Sequence, residues 1–153
     1  MTEQVKEKLI YNGQEYRLVT EPLRPYLEKN KIEFEAPHTA CWRGYYGSWL
    51  IENDKLYLTE LTAYAKIGSN ERITFNGVEV GLEYLFPNQD KVFAEWFSGE
   101  LFIPYGDSRY GVIYENELFI KIESGNVVGF RENKQSLSAI TSITDIFNIH
   151  LNN

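Results

Sequence analysis

The sequence has few of the residues that carry metal binding, covalent cross-links or nucleophilic catalysis. Its 153 residues include one cysteine, Cys41, and two histidines, His38 and His150. A single cysteine excludes an internal disulfide, and the sequence shows no basic-then-apolar leader or long apolar run, so we expect a cytoplasmic protein. His38 and Cys41 are spaced like metal ligands, but no second pair completes the set. We therefore predict neither a metal site nor a cofactor.

Catalytic motifs are also missing. Cys41 sits inside an aromatic run rather than at a helix start that would activate a thiol, no serine has a G-x-S-x-G setting, and the glycines form neither G-x-G-x-x-G nor a P-loop. Paired glutamates beside predicted turns, Glu95 with Glu100 and Glu115 with Glu117, are the remaining acid/base candidates. Glutamates beside turns are usually solvated, so we predict no catalytic residue.

Concentrated positive charge is absent as well. The chain carries 15 basic and 22 acidic residues, a net charge of -7, and its basic residues are scattered from Lys6 to Lys134. Neutralising phosphates requires a basic face, so we predict that the chain binds neither nucleic acid nor an anionic membrane.

Aromatic residues are abundant. Eleven Tyr, nine Phe and three Trp make up 15% of the chain. Such residues suit half-buried pleated surfaces, and a chain of this length can bury about 70% of the surface it exposes when unfolded. We predict one β-rich domain over residues 1–153, a mainly antiparallel sheet of about eight to eleven strands that closes into a barrel or a sandwich.

Turn dipeptides between apolar runs locate the predicted hairpins. The first two join residues 7–11 with 14–19 and 46–52 with 55–66, and a five-strand antiparallel meander is predicted over Lys91–Arg131. Charged and apolar residues alternate over residues 31–35, which predicts a short edge strand. Residues 91–97 fit a strand or a helical turn, and their aromatic content favours the strand. The turn dipeptides are Asn12-Gly13, Asn53-Asp54, Asn76-Gly77, Ser98-Gly99 and Ser124-Gly125.

Two helical segments are predicted beside the strands, one between the first two hairpins and one at the C-terminus. Thr20 and Pro22 predict a short helix or two turns within residues 22–30, with Leu23, Tyr26 and Leu27 packing inward. A C-terminal helix is predicted after Ser136, because apolar residues recur near helical spacing. They stand at positions 137, 140, 143, 147 and 151.

Strand alternation also predicts which residues of the meander form the core. Leu118, Ile120 and Ile122 share one face, so Lys121 and Glu123 point outward and Phe119 is an exception to explain. The predicted core comprises Trp96, Phe102, Tyr114, Leu118, Ile120, Ile122 and Val127.

Several Gly, Pro and aromatic patterns resemble those of a family of small bacterial proteins whose function is not established. The resemblance covers most of residues 20–128 and implies a bacterial cytoplasmic protein, without carrying over any catalytic residue. The patterns are Thr20-Glu21-Pro22-Leu23, Trp42-Arg43-Gly44-Tyr45, Leu85-Phe86-Pro87, Trp96-Phe97 with Gly99, Leu101, Ile103-Pro104 and Gly106, and Tyr110-Gly111 with Tyr114-Glu115.

A candidate binding surface combines the segment from Trp42 to Trp49 with the Tyr105 to Tyr110 turn. Both tryptophans are expected in the core, with Gly44 or Gly47 supplying a bulge, whereas at least one of two adjacent tyrosines must face outward. Aromatic and arginine side chains are enriched at interface hot spots. The candidate partner-binding residues are Arg43, Tyr45, Tyr46, Tyr105 and Arg109.

These observations favour a non-enzymatic, acidic domain that binds a protein partner, such as an inhibitor-like or immunity-like protein. The first alternative is a β-barrel that carries a small apolar ligand, and the second is an enzyme of unrecognised type that uses paired carboxylates. An exposed aromatic patch with an acidic rim favours the partner-binding hypothesis, whereas an enclosed apolar cavity favours the carrier. The sequence leaves the oligomeric state open.

Overall fold

The computed structural model describes residues 3–68, 73–109 and 113–134. Within these residues, nine strands belong to one sheet, accompanied by one short α-helix and a single 3-10 turn at Leu82–Tyr84. The elements are β1 Glu7–Tyr11, β2 Gln14–Leu18, α1 Arg24–Lys29, β3 Tyr45–Glu52, β4 Lys55–Ala65, β5 Val78–Gly81, β6 Val92–Phe93, β7 Gly99–Arg109, β8 Ile113–Glu123 and β9 Asn126–Lys134.

The sheet is mixed rather than purely antiparallel. Its strands follow the order β2-β1-β3-β4-β9-β8-β7, and β5 and β6 pair with β4 beside that path. β1 and β3 run parallel, with Leu9 opposite Trp49, and the remaining pairs are antiparallel. A parallel pair needs a long crossover, and the connection that carries α1 between β2 and β3 provides one.

The sheet does not close into the predicted barrel. The terminal strands β2 and β7 approach each other where Val19 N donates to Phe102 O at 3.0 Å and Phe102 N donates to Thr20 Oγ1 at 2.8 Å. β4 and β9 pair only at Lys55 and Asn126. These isolated bonds do not form a continuous ladder, so the described residues form an open sheet.

Three of the five predicted hairpins are confirmed: β1 with β2, β3 with β4, and β8 with β9. Both turn residues of each hairpin have positive φ, which matches the twist of the paired strands. The φ values are 51° and 76° at Asn12-Gly13, 52° and 59° at Asn53-Asp54, and 46° and 82° at Ser124-Gly125.

The other two hairpin predictions are wrong, because β4 pairs with both segments. β5 runs along the far end of β4, from Thr62 opposite Gly81 to Ala65 opposite Val78, instead of forming a hairpin at Asn76-Gly77. β6 likewise pairs with β4 rather than forming a hairpin with β7 at Ser98-Gly99. The predicted five-strand meander is therefore the three-strand meander β7-β8-β9. β4 has eleven residues, so it is long enough to pair with several short strands.

The helical predictions are confirmed in part. α1 lies within residues 22–30, Leu23 and Leu27 are buried, and Tyr26 packs against the core. The edge strand at residues 31–35 is wrong, since only Phe34 forms a single bridge to Ala65. The predicted C-terminal helix lies outside the described residues. No helix in the described ranges is long and apolar enough to span a membrane.

The core prediction for β8 is confirmed, with Leu118, Ile120 and Ile122 buried and Lys121 and Glu123 exposed. Trp96 and Val127 pack against this core, whereas Tyr114 is not one of its residues.

The prediction that Phe102 belongs to the core is wrong. Phe102 lies between the inward-facing Leu101 and Ile103, so its side chain points to the opposite face of the sheet. On that face it stacks on Phe119 at 5.0 Å between ring centroids. The Arg131 guanidinium lies 3.8 Å from the centroid of the Phe119 ring. These contacts explain why β8 carries an apolar residue on its outer side.

Candidate functional site

An open cleft of about 410 Å³ lies between α1, the loop that follows it, the turn before β3 and the end of β4. Apolar and charged side chains share its lining. The lining consists of Arg24, Leu27, Glu28, Ile32, Glu33, Phe34, Glu35, Ala36, Trp42, Arg43, Tyr45, Lys66 and Ile73.

Gly44 brings the turn before β3 against the loop after α1. Its φ is 81°, and a Cβ at this position would lie 2.7 Å from Phe34 Cβ and 2.9 Å from Glu35 O. Only glycine allows this close approach. Gly44 O accepts a hydrogen bond from Tyr64 N at 3.0 Å, which joins the turn to β4. The cleft wall is therefore built from backbone contacts.

The two tryptophans of this segment have opposite environments. Trp49 is fully buried, as predicted, but Trp42 is 47% exposed, so its expected burial is wrong. Trp42 lies in the turn before β3 begins, where strand alternation does not apply. The irregularity in the β3–β4 pairing falls between Ser48 and Trp49 rather than at a glycine.

Tyr45 and Tyr46 also differ, because alternate residues of β3 face the core from its first residue onward. Tyr45 is 2% exposed and belongs to the core, so the expected exposure of Tyr45 is wrong. Tyr46 is half-buried, and its hydroxyl lies 2.7 Å from His38 Nε2. Of the two tyrosines, Tyr46 is the one turned away from the core.

Arg43 is buried beneath the cleft, with only 7% of its side chain exposed. Its Nη1 donates to Val5 O at 2.6 Å. Its Nε lies 3.2 Å from Glu7 Oε2, so the two side chains form an ion pair, but these two atoms do not form a hydrogen bond. The guanidinium carbon lies 5.4 Å and 5.8 Å from the ring centroids of Tyr45 and Tyr46, within cation–π range. The predicted residues Arg43, Tyr45 and Tyr46 therefore form one cluster.

Glu7 completes this cluster, and sequence analysis did not single it out. Its Oε1 accepts a hydrogen bond from Trp49 Nε1 at 2.7 Å. Gly47 makes room for the carboxylate, since a Cβ there would lie 2.4 Å from Oε1. Desolvation raises the pKa of Glu7 to about 7, against the lowering effects of Trp49 and Arg43. The burial of Glu7 could have been predicted from its position two residues before Leu9, because residues two apart lie on the same face of a strand.

Besides Arg43 Nε, which lies in the ion pair with Glu7, two more buried donors have no hydrogen-bond partner in the described part of the chain. They are Arg43 Nη2 and Tyr45 Oη, and both residues line the cleft. Burial raises the pKa of Tyr45, so its hydroxyl keeps its proton and remains a donor. Unpaired buried polar groups are costly, and they often mark a functional site.

Glu35 holds the opposite side of the cleft in place. Its Oε1 accepts from Thr74 N at 2.6 Å and from Phe75 N at 3.1 Å. These bonds, of which the one from Thr74 has the larger effect, lower the pKa of Glu35. They also place the Phe75 ring 6.0 Å from the ring of Trp42. Buried Glu35 thus positions an exposed aromatic pair at the cleft mouth.

Exposed apolar side chains line the cleft or contact its lining residues. Trp42, Ile73 and Phe75 are 47%, 58% and 42% exposed. Tyr84, 54% exposed, contacts the lining residue Phe34 at 6.3 Å between ring centroids. We call Trp42, Ile73, Phe75 and Tyr84 the aromatic rim.

The charged lining residues are mostly paired. Lys66 Nζ lies 3.1 Å from Glu33 Oε2, and Arg24 Nη2 lies 2.7 Å from Glu21 Oε1. Glu28 has no ion-pair partner among the described residues. The cleft therefore presents charges of both signs in fixed positions.

The remaining predicted surface residues do not join the cleft. Tyr105 contacts Tyr16 edge-on at 5.5 Å and donates to Glu132, which raises the pKa of Tyr105 to about 12. Arg109 ends β7, and its side chain lies outside the described part of the structure. Tyr105 does not line the cleft. In the strand order β4, β9 and β8 separate β7, which carries Tyr105, from β3.

Neither glutamate pair contributes to the cleft. Glu100 lies 3.5 Å from Arg131, and Glu117 accepts a hydrogen bond from Asn133 at 3.4 Å. His38 Nδ1 accepts from Ala40 N. Residues 3–68, 73–109 and 113–134 contain no group of three His, Cys, Asp or Glu residues arranged to hold a metal ion.

Comparison with family models, curated proteins and solved structures gave no match. The resemblance to small bacterial proteins stays a prediction, and function must be argued from the cleft and its rim.

Proposed function

We propose that this chain is a non-enzymatic domain that binds a protein partner through the aromatic rim. The observation that carries this proposal is the placement of three exposed apolar side chains: Trp42 and Ile73 line one cleft, and the Phe75 ring contacts Trp42 at 6.0 Å. Isolated exposed apolar residues are ordinary, whereas a group of them around a concavity is typical of an interaction site. Trp and Tyr side chains supply much of the binding energy at protein interfaces.

Charge indicates the chemistry of the partner. Glu28 and Glu33 lie at the cleft, and the side chain of Glu33 is 79% exposed. With a net charge of -7, the domain attracts basic surfaces and accelerates their encounter. The favoured partner presents an apolar side chain flanked by Lys or Arg residues. Its apolar group packs against the aromatic rim, and its basic groups face the glutamates.

The lining of the cleft supports this proposal over the two alternatives. A carrier of a small apolar ligand needs an enclosed apolar cavity, but this cleft is open and charged residues make up about half of its lining. An enzyme with paired carboxylates needs two of them converging on one site. The pairs Glu95 with Glu100 and Glu115 with Glu117 lie outside the cleft.

A comparison of two double variants tests the proposal. The rim variant is Trp42→Ala with Phe75→Ala, and its control is Val128→Ala with Phe130→Ala on β9. Val128 and Phe130 are 50% and 70% exposed, so the two variants remove similar exposed apolar surface at different places. A protein captured from the host by the wild type is identified and purified, and its affinity for each variant is measured by calorimetry.

We expect the rim variant to bind the identified partner at least about tenfold more weakly, because removing an aromatic anchor from an interface typically lowers the affinity by this factor or more. The control variant keeps wild-type affinity, and both variants keep nearly wild-type thermal stability. Equal affinity of the two variants, or a captured partner with an acidic contact surface, would show that the aromatic rim is not the binding site. Tyr45→Ala is unsuitable for this test, because Tyr45 is part of the core.

A further inference from the structure

A second cleft, of about 570 Å³, lies beside α1 and is lined by aromatic and polar side chains. We propose that this second cleft binds a neutral carbohydrate, whose ring stacks on Trp96 while its hydroxyl groups bond to the polar side chains. It shares no lining residue with the cleft of the aromatic rim, so the inference goes beyond the proposed partner and does not depend on it. The lining residues that carry the argument are Tyr26, Lys29, Asn30, Phe93, Glu95 and Trp96.

α1 separates the two clefts. Arg24 and Glu28 line the cleft of the aromatic rim, whereas Tyr26 and Asn30, the residue that ends α1, line the second cleft. Residues four apart lie on one face of a helix, and a step of two residues turns about 200° around its axis. The two pairs therefore mark opposite faces of α1, and the two clefts are separate sites.

Trp96 is a fixed aromatic surface in the second cleft. Its indole N–H donates to Pro22 O at 2.8 Å, and Phe86 stacks nearly parallel to it, with 5.7 Å between ring centroids and 9° between ring planes. Tyr26 packs beside both rings, 5.0 Å from Trp96 and 4.9 Å from Phe86. Phe86 is buried and Trp96 is half-buried, so the stack leads outward from the core. A ligand would stack on the indole face opposite Phe86.

A fixed aromatic face suits a sugar ring. One face of a pyranose presents mainly C–H groups, which pack against the electron-rich face of an aromatic ring. Because Trp96 is anchored before binding, little side-chain freedom is lost when the ligand arrives. Phe93 lines the same cleft, so its apolar surface extends beyond one ring. The size of the cleft, within the range of small-molecule sites, also allows more than one sugar unit.

The polar lining favours a neutral ligand that carries hydroxyl groups. Lys29, Asn30 and Glu95 are exposed, and their one positive and one negative charge cancel. Asn30 Nδ2 donates to Tyr26 O at 2.8 Å, which holds the amide beside the aromatic rings. A hydroxyl group both donates and accepts, so it can bond to an ammonium, an amide or a carboxylate. A sugar offers such groups around the edge of an apolar ring.

The spacing of the rings argues against a quaternary ammonium ligand, another common ligand of aromatic pockets. Such a cation is held between ring faces that surround it. Here the Tyr26 and Trp96 rings contact each other at 5.0 Å, which leaves no space for a cation between them. Lys29 would also repel a cation in this cleft. A carbohydrate needs only the one free face of Trp96.

Nitrogen-15 NMR spectra of the full chain test this inference by titration with named probes. Cellobiose, maltose and N,N′-diacetylchitobiose are neutral disaccharides, sorbitol has hydroxyl groups without a ring, and tetramethylammonium is the cationic probe. We expect at least one disaccharide to shift the Trp96 indole N–H signal, with saturation by about 20 mM, where a site with a Kd of about 1 mM is nearly full. The Trp42 signal stays in place, and sorbitol and tetramethylammonium shift neither signal.

A double variant tests the polar contacts with the same NMR signal. Lys29→Ala with Glu95→Ala removes one charge of each sign, and both residues are exposed, so we expect the fold to be kept. Its control is Lys8→Ala with Glu15→Ala, an exposed ion pair on β1 and β2 outside this cleft. The first variant should bind the disaccharide at least about fivefold more weakly, because it loses hydrogen bonds to hydroxyl groups, and the control should keep wild-type affinity.

The inference is overturned if none of the three disaccharides shifts the Trp96 signal by about 20 mM. It is also overturned if sorbitol shifts this signal as much as the disaccharides do, because the ring face would then not matter. A shift caused by tetramethylammonium alone would assign the second cleft to a cation. Equal affinity of the two double variants would show that Lys29 and Glu95 do not contact the sugar. None of these results bears on the aromatic rim, whose test uses the protein partner and different residues.

Discussion

Replacing Glu7 with glutamine should stabilise the protein above neutral pH, although Glu7 forms a buried ion pair with Arg43. Glu7 is 2% exposed, with its Oε1 bonded to Trp49 and its Oε2 beside Arg43. Two expectations conflict. Removing one partner of a buried pair usually destabilises strongly, because the other charge is left uncompensated. Burial of a carboxylate favours its neutral form, and glutamine resembles that form.

The pKa of Glu7 decides between them. Desolvation raises this pKa from 4.5 to about 7, so burial outweighs the attraction of Arg43. Between these two values the folded state binds the Glu7 proton more tightly than the unfolded state, and stability falls as pH rises. Below pH 4.5 Glu7 is protonated in both the folded and the unfolded state. Above about pH 7 it is ionised in both states, and the stability lost through its ionisation no longer increases. The shift corresponds to about 3 kcal/mol of unfolding free energy.

Urea titrations of the wild type and Glu7→Gln at pH 5 and pH 8 measure this effect. Other titrating groups contribute equally to both proteins, so the difference between them isolates Glu7. We expect the two proteins to be within about 1 kcal/mol of each other at pH 5, where wild-type Glu7 is mostly protonated. At pH 8 the variant should be more stable by up to about 3 kcal/mol.

The reasoning is refuted if Glu7→Gln is less stable than the wild type by about 3 kcal/mol or more at pH 8. That outcome would mean that the ion pair with Arg43 outweighs the cost of burying the carboxylate. A difference that does not change between pH 5 and pH 8 would also contradict it, because Glu7 would then not titrate in this range.

Further predictions concern packing. Ile120 and Phe130 face each other across β8 and β9, but Ile120 is fully buried and Phe130 is 70% exposed. Ile120→Ala should cost about 2–5 kcal/mol in denaturant titration, and Phe130→Ala less than about 0.5 kcal/mol. Gly47→Ala should destabilise by about 1–3 kcal/mol, because its Cβ would lie 2.4 Å from Glu7 Oε1, and an unchanged midpoint would contradict this close packing. Cys41, fully buried, should react with a thiol reagent only at the rate of unfolding, and fast labelling of the native protein would contradict its burial.

Sequence patterns predicted the local parts of this fold well. The turns at Asn12-Gly13, Asn53-Asp54 and Ser124-Gly125 are set by two residues with positive φ, and the alternation along β8 follows from the period of a strand. Each depends on neighbours in sequence. Long-range pairing was not predictable in this way, since β5 and β6 show strand character without indicating that β4 is their partner.

The site was predicted in part for the same reason. Adjacent aromatic and arginine residues drew attention to Arg43, Tyr45 and Tyr46, which do form a cluster. Their burial depends on where β3 begins, and their ion-pair partner Glu7 lies on another strand. The exposure of Trp42 follows from its place in the turn before β3, which a strand pattern extended backward from Trp49 does not reveal.

The proposed partner-binding surface is tested most directly by the indole N–H signals of the protein in nitrogen-15 NMR spectra. Trp42 lies on the aromatic rim, whereas Trp96 donates its indole N–H to Pro22 O at 2.8 Å and does not line the cleft. On titration with the identified partner, the Trp42 signal should shift or broaden with saturation, and the Trp96 signal should stay in place. An unchanged Trp42 signal at saturating partner would contradict the proposal that the aromatic rim binds it.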